Sequence, residues 1–217
     1  MRDVKKTVRR GFGQVCGRTR LRHRLCWNVP GRGPHVALTF DDGPNADRTP
    51  AVLEVLAERG VVGTFFLQGN MLERQSSVLT RIVDDGHEIG HHGFSHARRD
   101  VRNQAKLGDR ALRAQGISTR LFRPPGGEAG PGDLAWLAWR GYSTVFWSFD
   151  SVDSRREEGK WLGAQPDYAA VRAGDIVLMH DDNATCLRDL PVLLDALALN
   201  GLMPVTVSAR IGFTGPA

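Results

Sequence analysis

Four of the seven histidines of this sequence fall in one short run, residues 86–96 (GHEIGHHGFSH). His92 and His96 are four residues apart, a spacing that places two imidazoles on one side of a helical turn and lets them share a metal ion. His87 and His91 have the same spacing, but HEIG is typical of an extended segment, in which residues four apart lie roughly 13 Å from each other. The run therefore favours His92 and His96 as a metal-binding pair, and a polar surface loop is the alternative.

Two adjacent carboxylates form the second run, Asp41-Asp42-Gly43-Pro44, which directly follows an apolar stretch. Neighbouring side chains point to opposite sides of a regular strand. Both carboxylates can therefore face one site only if the chain leaves strand geometry at this point. Gly43 and Pro44 permit such a break, and an ordinary acidic turn is the alternative.

Three further positions could carry acid–base chemistry: Arg123-Pro124-Pro125-Gly126-Gly127, Asp150-Ser151-Val152-Asp153 and His180. Taken alone, each also fits a turn with a surface charge or a structural residue. Their order is more informative, because all five runs lie, in order, at the ends of predicted strands. In β/α barrels that end of the strands carries the catalytic groups.

Apolar runs of strand length alternate with helical patterns from residue 35 onward. Thr49 is the expected N-cap of the first helix, with Pro50 in the first helical position. The alternation predicts an α/β fold, a single domain of about seven strands that form a distorted (β/α) barrel. A length of 217 residues suits one hydrophobic core. The predicted strands are residues 36–40, 63–67, 87–90, 120–122, 143–149, 175–179 and 203–207.

Charge is unevenly distributed along the chain. Residues 1–34 hold ten Arg or Lys and one Asp, whereas the remainder holds 19 basic and 23 acidic residues. We therefore predict a basic, flexible arm over residues 1–34, a catalytic domain over residues 35–210 and a short tail over residues 211–217. The mildly acidic body argues against a specific nucleic-acid partner, and the arm could contact an anionic membrane surface.

The sequence shows no apolar run of bilayer-spanning length and no secretory signal, which predicts a cytoplasmic protein. Cys16, Cys26 and Cys186 share no metal-type spacing, so we expect plain thiols. The sequence leaves the oligomeric state open.

The five runs resemble, in order, the five motifs of the polysaccharide deacetylases of the NodB-homology type, carbohydrate esterase family four. The resemblance covers residues 36–207. It implies a distorted barrel of β/α units that hydrolyses N- or O-acetyl groups from sugars with one divalent metal, usually zinc. The residues that carry it are Thr39-Phe40-Asp41-Asp42-Gly43-Pro44, GHEIGHHGFSH, RPPGG, WSFDSVD and Leu178-Met179-His180.

The resemblance also implies a role for each position. A ligand set of one carboxylate and two imidazoles leaves coordination positions for water and substrate, and it suits zinc as well as cobalt, nickel or iron. The implied metal ligands are Asp42, His92 and His96; the implied catalytic residues are the base Asp41, held by Arg123, and the acid His180, oriented by Asp153; the implied oxyanion and substrate contacts are Gly126 and Leu178.

Three positions depart from the family pattern. Gly93 replaces the usual Ser or Thr after the first histidine ligand, Gly126 replaces an aromatic residue, and Ser154 replaces a Trp. The last two changes remove bulk from the rim of the expected site and leave the glycan, and the choice between N- and O-acetyl, open. The leading hypothesis is a metal-dependent deacetylase of N-acetylated sugars. The alternatives are an allantoinase-like amide hydrolase and a non-catalytic protein that binds glycans or anionic surfaces on the same scaffold.

Overall fold

Parallel strands alternate with helices in the computed structural model, which describes residues 24–31 and 33–211. The long apolar run that ends at Asp41 forms the central strand, and it is buried along nearly its whole length, as expected for a strand covered on both faces. The strands are β1 Leu25–Cys26, β2 His35–Asp41, β3 Thr64–Leu67, β4 Glu88–His91, β5 Leu121–Phe122, β6 Ser143–Val145, β7 Phe149–Asp150, β8 Ile176–His180 and β9 Met203–Val205.

The strands form one sheet in the order β1-β6-β5-β4-β3-β2-β8-β7, and β9 pairs with the first half of β2. All of these ladders are parallel. The sheet curls into a half-barrel, which confirms the predicted α/β fold and its distorted barrel. Because the strands are parallel, all of their carboxyl ends lie at the same edge of the sheet.

The predicted single strand over residues 143–149 is wrong. Ser143–Val145 lies beside β5 near one edge of the sheet, whereas Phe149–Asp150 lies beside β8 at the other edge. Residues 146–148 connect the two positions. An extended apolar run has the same sequence pattern whether it forms one strand or two strands at different places in the sheet. The sequence therefore does not show this change.

An additional strand precedes those predicted from the sequence. Leu25–Cys26 pairs with β6, and the backbone N–H of Val29 then donates to the carbonyl of Gly174, 2.9 Å away, just before β8. Residues 25–29 thus run from one side of the open sheet to the other, and Cys26 and Val29 are buried. The packed part of the chain therefore begins before residue 35. The rest of the predicted arm, residues 1–23, and the tail from residue 212 lie outside the described residues.

Helices pack against the outside of the sheet. In the first helix Thr49 is the first helical residue and Arg48 is the N-cap, so the predicted capping by Thr49 is wrong. The short fifth helix, which begins at Asp153, was not predicted. No described helix combines the length and apolar character that a bilayer-spanning segment needs. The helices are α1 Thr49–Glu58, α2 Ser76–Asp84, α3 Val101–Ala114, α4 Pro131–Trp139, α5 Asp153–Glu157, α6 Ala184–Leu199 and α7 Ser208–Ile211.

Candidate active site

The five sequence runs meet at the carboxyl edge of the sheet. Asp41 ends β2 and His180 ends β8, and these two residues are partners in the register of neighbouring strands. His92 follows β4 and Arg123 follows β5. Asp153 begins α5, three residues after the end of β7. The strand ends therefore bring together residues that are up to about 140 positions apart in the chain.

The chain leaves strand geometry between the two aspartates, as the sequence predicted. Asp42 has a φ of 77°, in the left-handed region that Asp adopts more readily than most residues. This turn lets both carboxylates face one histidine. His92 Nε2 lies 3.7 Å from Asp41 Oδ2 and 3.8 Å from Asp42 Oδ1.

A buried ion pair fixes the Asp41 carboxylate. Arg123 Nη1 lies 2.7 Å from Asp41 Oδ1, and both side chains are almost fully buried. The same nitrogen donates to Thr39 Oγ1 at 2.9 Å, and the other guanidinium nitrogens donate to the carbonyls of Val145 and Phe146 at 3.1 and 3.2 Å. Burial raises the pKa of Asp41, while the charge and the hydrogen bond of Arg123 act in the opposite direction. The guanidinium therefore favours the ionised carboxylate and sets its orientation.

Asp42, His92 and His96 place three potential metal ligands within 4.8 Å of one another, and we call them the donor cluster. Asp42 Oδ1 lies 3.5 Å from His96 Nε2. Two ligands of a tetrahedral zinc ion, each at about 2.0–2.1 Å, are about 3.4 Å apart. His92 Nδ1 lies 2.8 Å from the Arg123 carbonyl, which fixes Nδ1 as the donor and leaves Nε2 its lone pair. Burial lowers the pKa of His92 to about 3, so this ring is neutral. The residues present fit a divalent metal.

The other histidine pair is not brought together around a site. His87 Nδ1 accepts the backbone N–H of Gly63 at 3.1 Å. His91 is buried, and its ring packs against Phe122 with 4.8 Å between ring centroids. Within the described ranges the donor cluster is the one group of three metal-ligating side chains found.

His180 and Asp153 form a second buried pair. His180 Nδ1 lies 2.7 Å from Asp153 Oδ1, and the His180 backbone N–H donates to Asp153 Oδ2, also at 2.7 Å. Burial alone would lower the pKa of His180, but the hydrogen bond and charge of Asp153, helped by Asp41 and Asp42, raise it to about 10. Burial alone would likewise raise the pKa of Asp153, yet the hydrogen bonds from His180 hold it below its usual range. The pair is thus an imidazolium next to a carboxylate at neutral pH.

Gly126 and Leu178 occupy different surroundings. Gly126 lies in a 3-10 turn, Pro125–Gly127, with a φ of 62° that favours glycine. Leu178 is buried in β8, two residues before His180, so both side chains point to the same face of the sheet.

Sequence reasoning missed three residues that hold the site in place. Thr39 receives a hydrogen bond from Arg123, and its position two residues before Asp41 could have indicated a shared face. Gln68 Nε2 donates to Asp42 Oδ1 at 3.0 Å, and nothing in the sequence singles it out. Asp181 accepts the Gly43 N–H at 3.0 Å, and burial raises its pKa to about 7. Its place directly after His180 was the available signal.

The structure accounts for one departure from the family pattern. Gly93 has a φ of 80°, and a methyl group built there would lie 3.1 Å from Gln104 Oε1. That oxygen accepts the backbone N–H groups of Phe94 and Ser95, at 2.9 and 3.0 Å. Gln104, from α3, thus holds the loop between His92 and His96 and occupies the space that a larger residue 93 would need.

Asp41, held by Arg123, can take up a proton, and His180, held by Asp153, can deliver one. Their location at the carboxyl edge of a parallel sheet defines an enzyme of the β/α-barrel class, and the acid–base pairs suit hydrolysis.

Comparison with known proteins identifies the family. The polysaccharide deacetylase family profile matches residues 28–138. The chain is 31% identical to a peptidoglycan-N-acetylglucosamine deacetylase of Bacillus cereus, covering 87% of this chain and 93% of the relative. It is 39% identical to a chitooligosaccharide deacetylase of Sinorhizobium fredii, covering 68% and 72%. A solved structure of the family-four carbohydrate esterase from Streptomyces lividans superposes with a TM-score of 0.68 at 28% identity, covering 80% and 93%. The chain belongs to the polysaccharide deacetylase family, carbohydrate esterase family four.

Proposed function

We propose that this protein is a metal-dependent deacetylase that removes the acetyl group from an N-acetylated sugar. The single observation that carries the proposal is the pairing of Asp41 with His180 on adjacent strands beside the donor cluster. One of the two is held toward its ionised form by Arg123, and the other is held protonated by Asp153. The two relatives named above act on N-acetylated glycans, which supports the substrate class.

The donor cluster would hold one divalent metal through Asp42 Oδ1, His92 Nε2 and His96 Nε2. We propose zinc, and cobalt, nickel or iron fit the same ligand chemistry. When bound, the metal would supply Lewis acidity, which lowers the pKa of a water molecule and polarises an acetyl carbonyl.

Asp41 is the proposed general base. Its carboxylate lies 3.7 Å from His92 Nε2 without being part of the donor cluster, so it is placed to accept a proton from the attacking water. Arg123 holds Asp41 Oδ1 and leaves Oδ2 directed toward the cluster. The ion pair thus fixes which carboxylate oxygen takes the proton.

His180 is the proposed general acid. With Nδ1 bound to Asp153, its Nε2 proton is the one available to the departing amine. The N–H of Gly126 is the proposed donor to the developing oxyanion, because the turn that contains Gly126 follows the carboxyl end of β5. Leu178, on the same face as His180, would line the apolar side of the acetyl position.

Acetate release tests the proposal. The substrates are chitooligosaccharides, peptidoglycan fragments, lipid-linked amino sugars, O-acetylated sugars and cyclic amides, each assayed before chelation, after chelation and after zinc is returned. We expect acetate and a free amine, loss on chelation and recovery with metal. Activity on O-acetyl but not N-acetyl sugars would correct the bond assigned. Hydrolysis of cyclic amides without any acetate release would replace the proposal by the allantoinase-like alternative. A folded, metal-loaded protein without hydrolytic activity would support the non-catalytic binding protein.

We also infer that the basic arm attaches the enzyme to an anionic membrane, on the cytoplasmic side that the sequence predicts. Residues 1–23 hold eight Arg or Lys and one Asp. They lead into Arg24, which donates to the Gly141 carbonyl. Trp139 and Arg140 directly precede Gly141, and Trp139 is 77% exposed with the Arg140 guanidinium near its ring. Tryptophan and arginine together suit the headgroup region of a bilayer.

Liposome flotation tests this second proposal. The full chain is compared with a chain that begins at Arg24, since β1 must be kept, on vesicles with and without anionic lipid. We expect the full chain alone to float with anionic vesicles at low salt and to dissociate at high salt. Equal flotation of both proteins, or of neither, would exclude the arm as the attachment.

A further inference from the structure

Arg98 covers the open face of Gly126. A methyl group built on Gly126 would come within 3.0 Å of Arg98 Nε and 3.1 Å of its Cζ. The guanidinium therefore occupies the space that a side chain at position 126 would take. Gly126 is also the proposed oxyanion donor, so this cation lies beside a residue of the proposed site.

Most of the hydrogen-bonding capacity of Arg98 is unused. Its side chain is 59% exposed, and its ion pair with Glu128 is long, with 3.3 Å between Nη1 and Oε1. An exposed pair of this kind contributes little to stability, and arginine has five N–H donors. Glu128 is the one ion-pair partner of Arg98 in the part of the chain that the structure describes. A ligand can therefore bind the guanidinium without breaking a buried interaction.

The neighbouring charges differ in how they are paired. Arg102, the second residue of α3, is held by Asp133, with 2.8 Å between Arg102 Nε and Asp133 Oδ1. Arg99 is exposed and precedes Asp100. Of these three arginines, Arg98 is the one in contact with a residue of the proposed site. It is thus the group that a substrate extending from the acetyl position would meet.

We propose that Arg98 forms an anion subsite that binds a carboxylate or phosphate carried by the sugar substrate. The planar guanidinium matches either group with two parallel hydrogen bonds. The proposal rests on the proposed function, because it places the anion next to the acetylated sugar. It makes Arg98 a specificity-determining residue.

The test compares kcat/KM for an anionic and a neutral substrate of equal length in the metal-loaded full chain. The carboxylate source is an oligomer containing N-acetylmuramic acid, matched with its methyl ester. The phosphate source is N-acetylglucosamine 1-phosphate, matched with the methyl glycoside. Arg98→Ala should lower the anionic-to-neutral ratio for one of these pairs on the order of tenfold, the value of a lost charged hydrogen bond. The pair that responds identifies the source.

Three further variants separate this role from a general charge effect. Arg99→Ala removes the same charge from the same loop and should leave the ratio unchanged. Arg98→Lys keeps the charge without the planar fork and should restore the ratio only in part. Glu128→Gln removes the competing carboxylate and should raise the ratio, an outcome that misfolding cannot produce.

The outcomes distinguish this inference from the proposed function. If the wild-type protein releases no acetate from these four substrates or from those named for the proposed function, the proposed function fails. If it releases acetate but Arg98→Ala leaves both ratios unchanged, or Arg99→Ala lowers them equally, the anion subsite is refuted and the proposed function stands.

Discussion

Replacing Asp153 by Asn tests the proposed acid most directly. The change keeps the size of the side chain and an oxygen that can accept the His180 backbone N–H. It removes the negative charge 2.7 Å from His180 Nδ1. In the variant only the negative charges of Asp41 and Asp42 still favour the charged imidazole, and burial disfavours it. The pKa of His180 therefore falls from about 10 toward its ordinary value.

The size of the effect follows from this pKa. At pH 8 a histidine with a pKa of about 10 is roughly 99% protonated, whereas one with a pKa of about 6.5 is roughly 3% protonated. We therefore expect kcat at pH 8 to fall on the order of 30-fold. At pH 6 the same variant is roughly three-quarters protonated, so most of the loss should be recovered there. A bound divalent cation would lower the pKa of His180 in both the wild type and the variant. The difference between these two pKa values is therefore the diagnostic quantity.

The assay is the pH profile of kcat for acetate release between pH 5.5 and about pH 10, the interval that spans both values. Activity should decline as pH rises through the pKa of the acid, and the decline should begin at lower pH in the variant. Asp150→Asn is the control, because Asp150, at the end of β7, is three residues from Asp153 and pairs with Arg155 instead of His180. An alkaline limb that stays in place, or an equal loss at every pH, would refute the assignment of His180 as an acid poised by Asp153.

Three other variants test the remaining parts of the site. Asp41→Asn should lower kcat on the order of 10²-fold or more while the metal content stays normal, because the base is not a ligand; near-normal turnover would remove the proposed mechanism. His92→Ala combined with His96→Ala should abolish stoichiometric metal binding in elemental analysis, and full retention would make the donor cluster wrong. Arg123→Met should lower the free energy of unfolding by about 3–5 kcal/mol in urea titrations, because it leaves a buried carboxylate without its partner. A smaller loss in the double variant with Asp41→Asn would attribute that cost to the unpaired charge.

The sequence predicted the elements whose pattern is local. The apolar run of β2 and the helical pattern of α1 are visible because burial on one or both sides selects apolar residues along a continuous stretch. The two-residue β1 offers no such stretch, and its place in the sheet depends on a partner more than 100 residues away. The change of position in the sheet between β6 and β7 likewise depends on the complete fold. These are the features that the sequence could not show.

The first and last motifs illustrate why the candidate site could be predicted in its residues but not in its construction. The sequence indicated a break after Asp41 and attributed it to Gly43 and Pro44. In the structure, Asp42 adopts the left-handed conformation and Gly43 serves a different need. A side chain on Gly43 would collide with the buried carboxylate of Asp181, which accepts the Gly43 N–H and the hydroxyl of Thr49. The turn that aims both aspartates is therefore shaped by a residue about 140 positions later, and that residue directly follows the proposed acid. Base, ligand and acid are positioned by one hydrogen-bonded unit across β2 and β8, which makes the spacing between them a property of the sheet rather than of either motif.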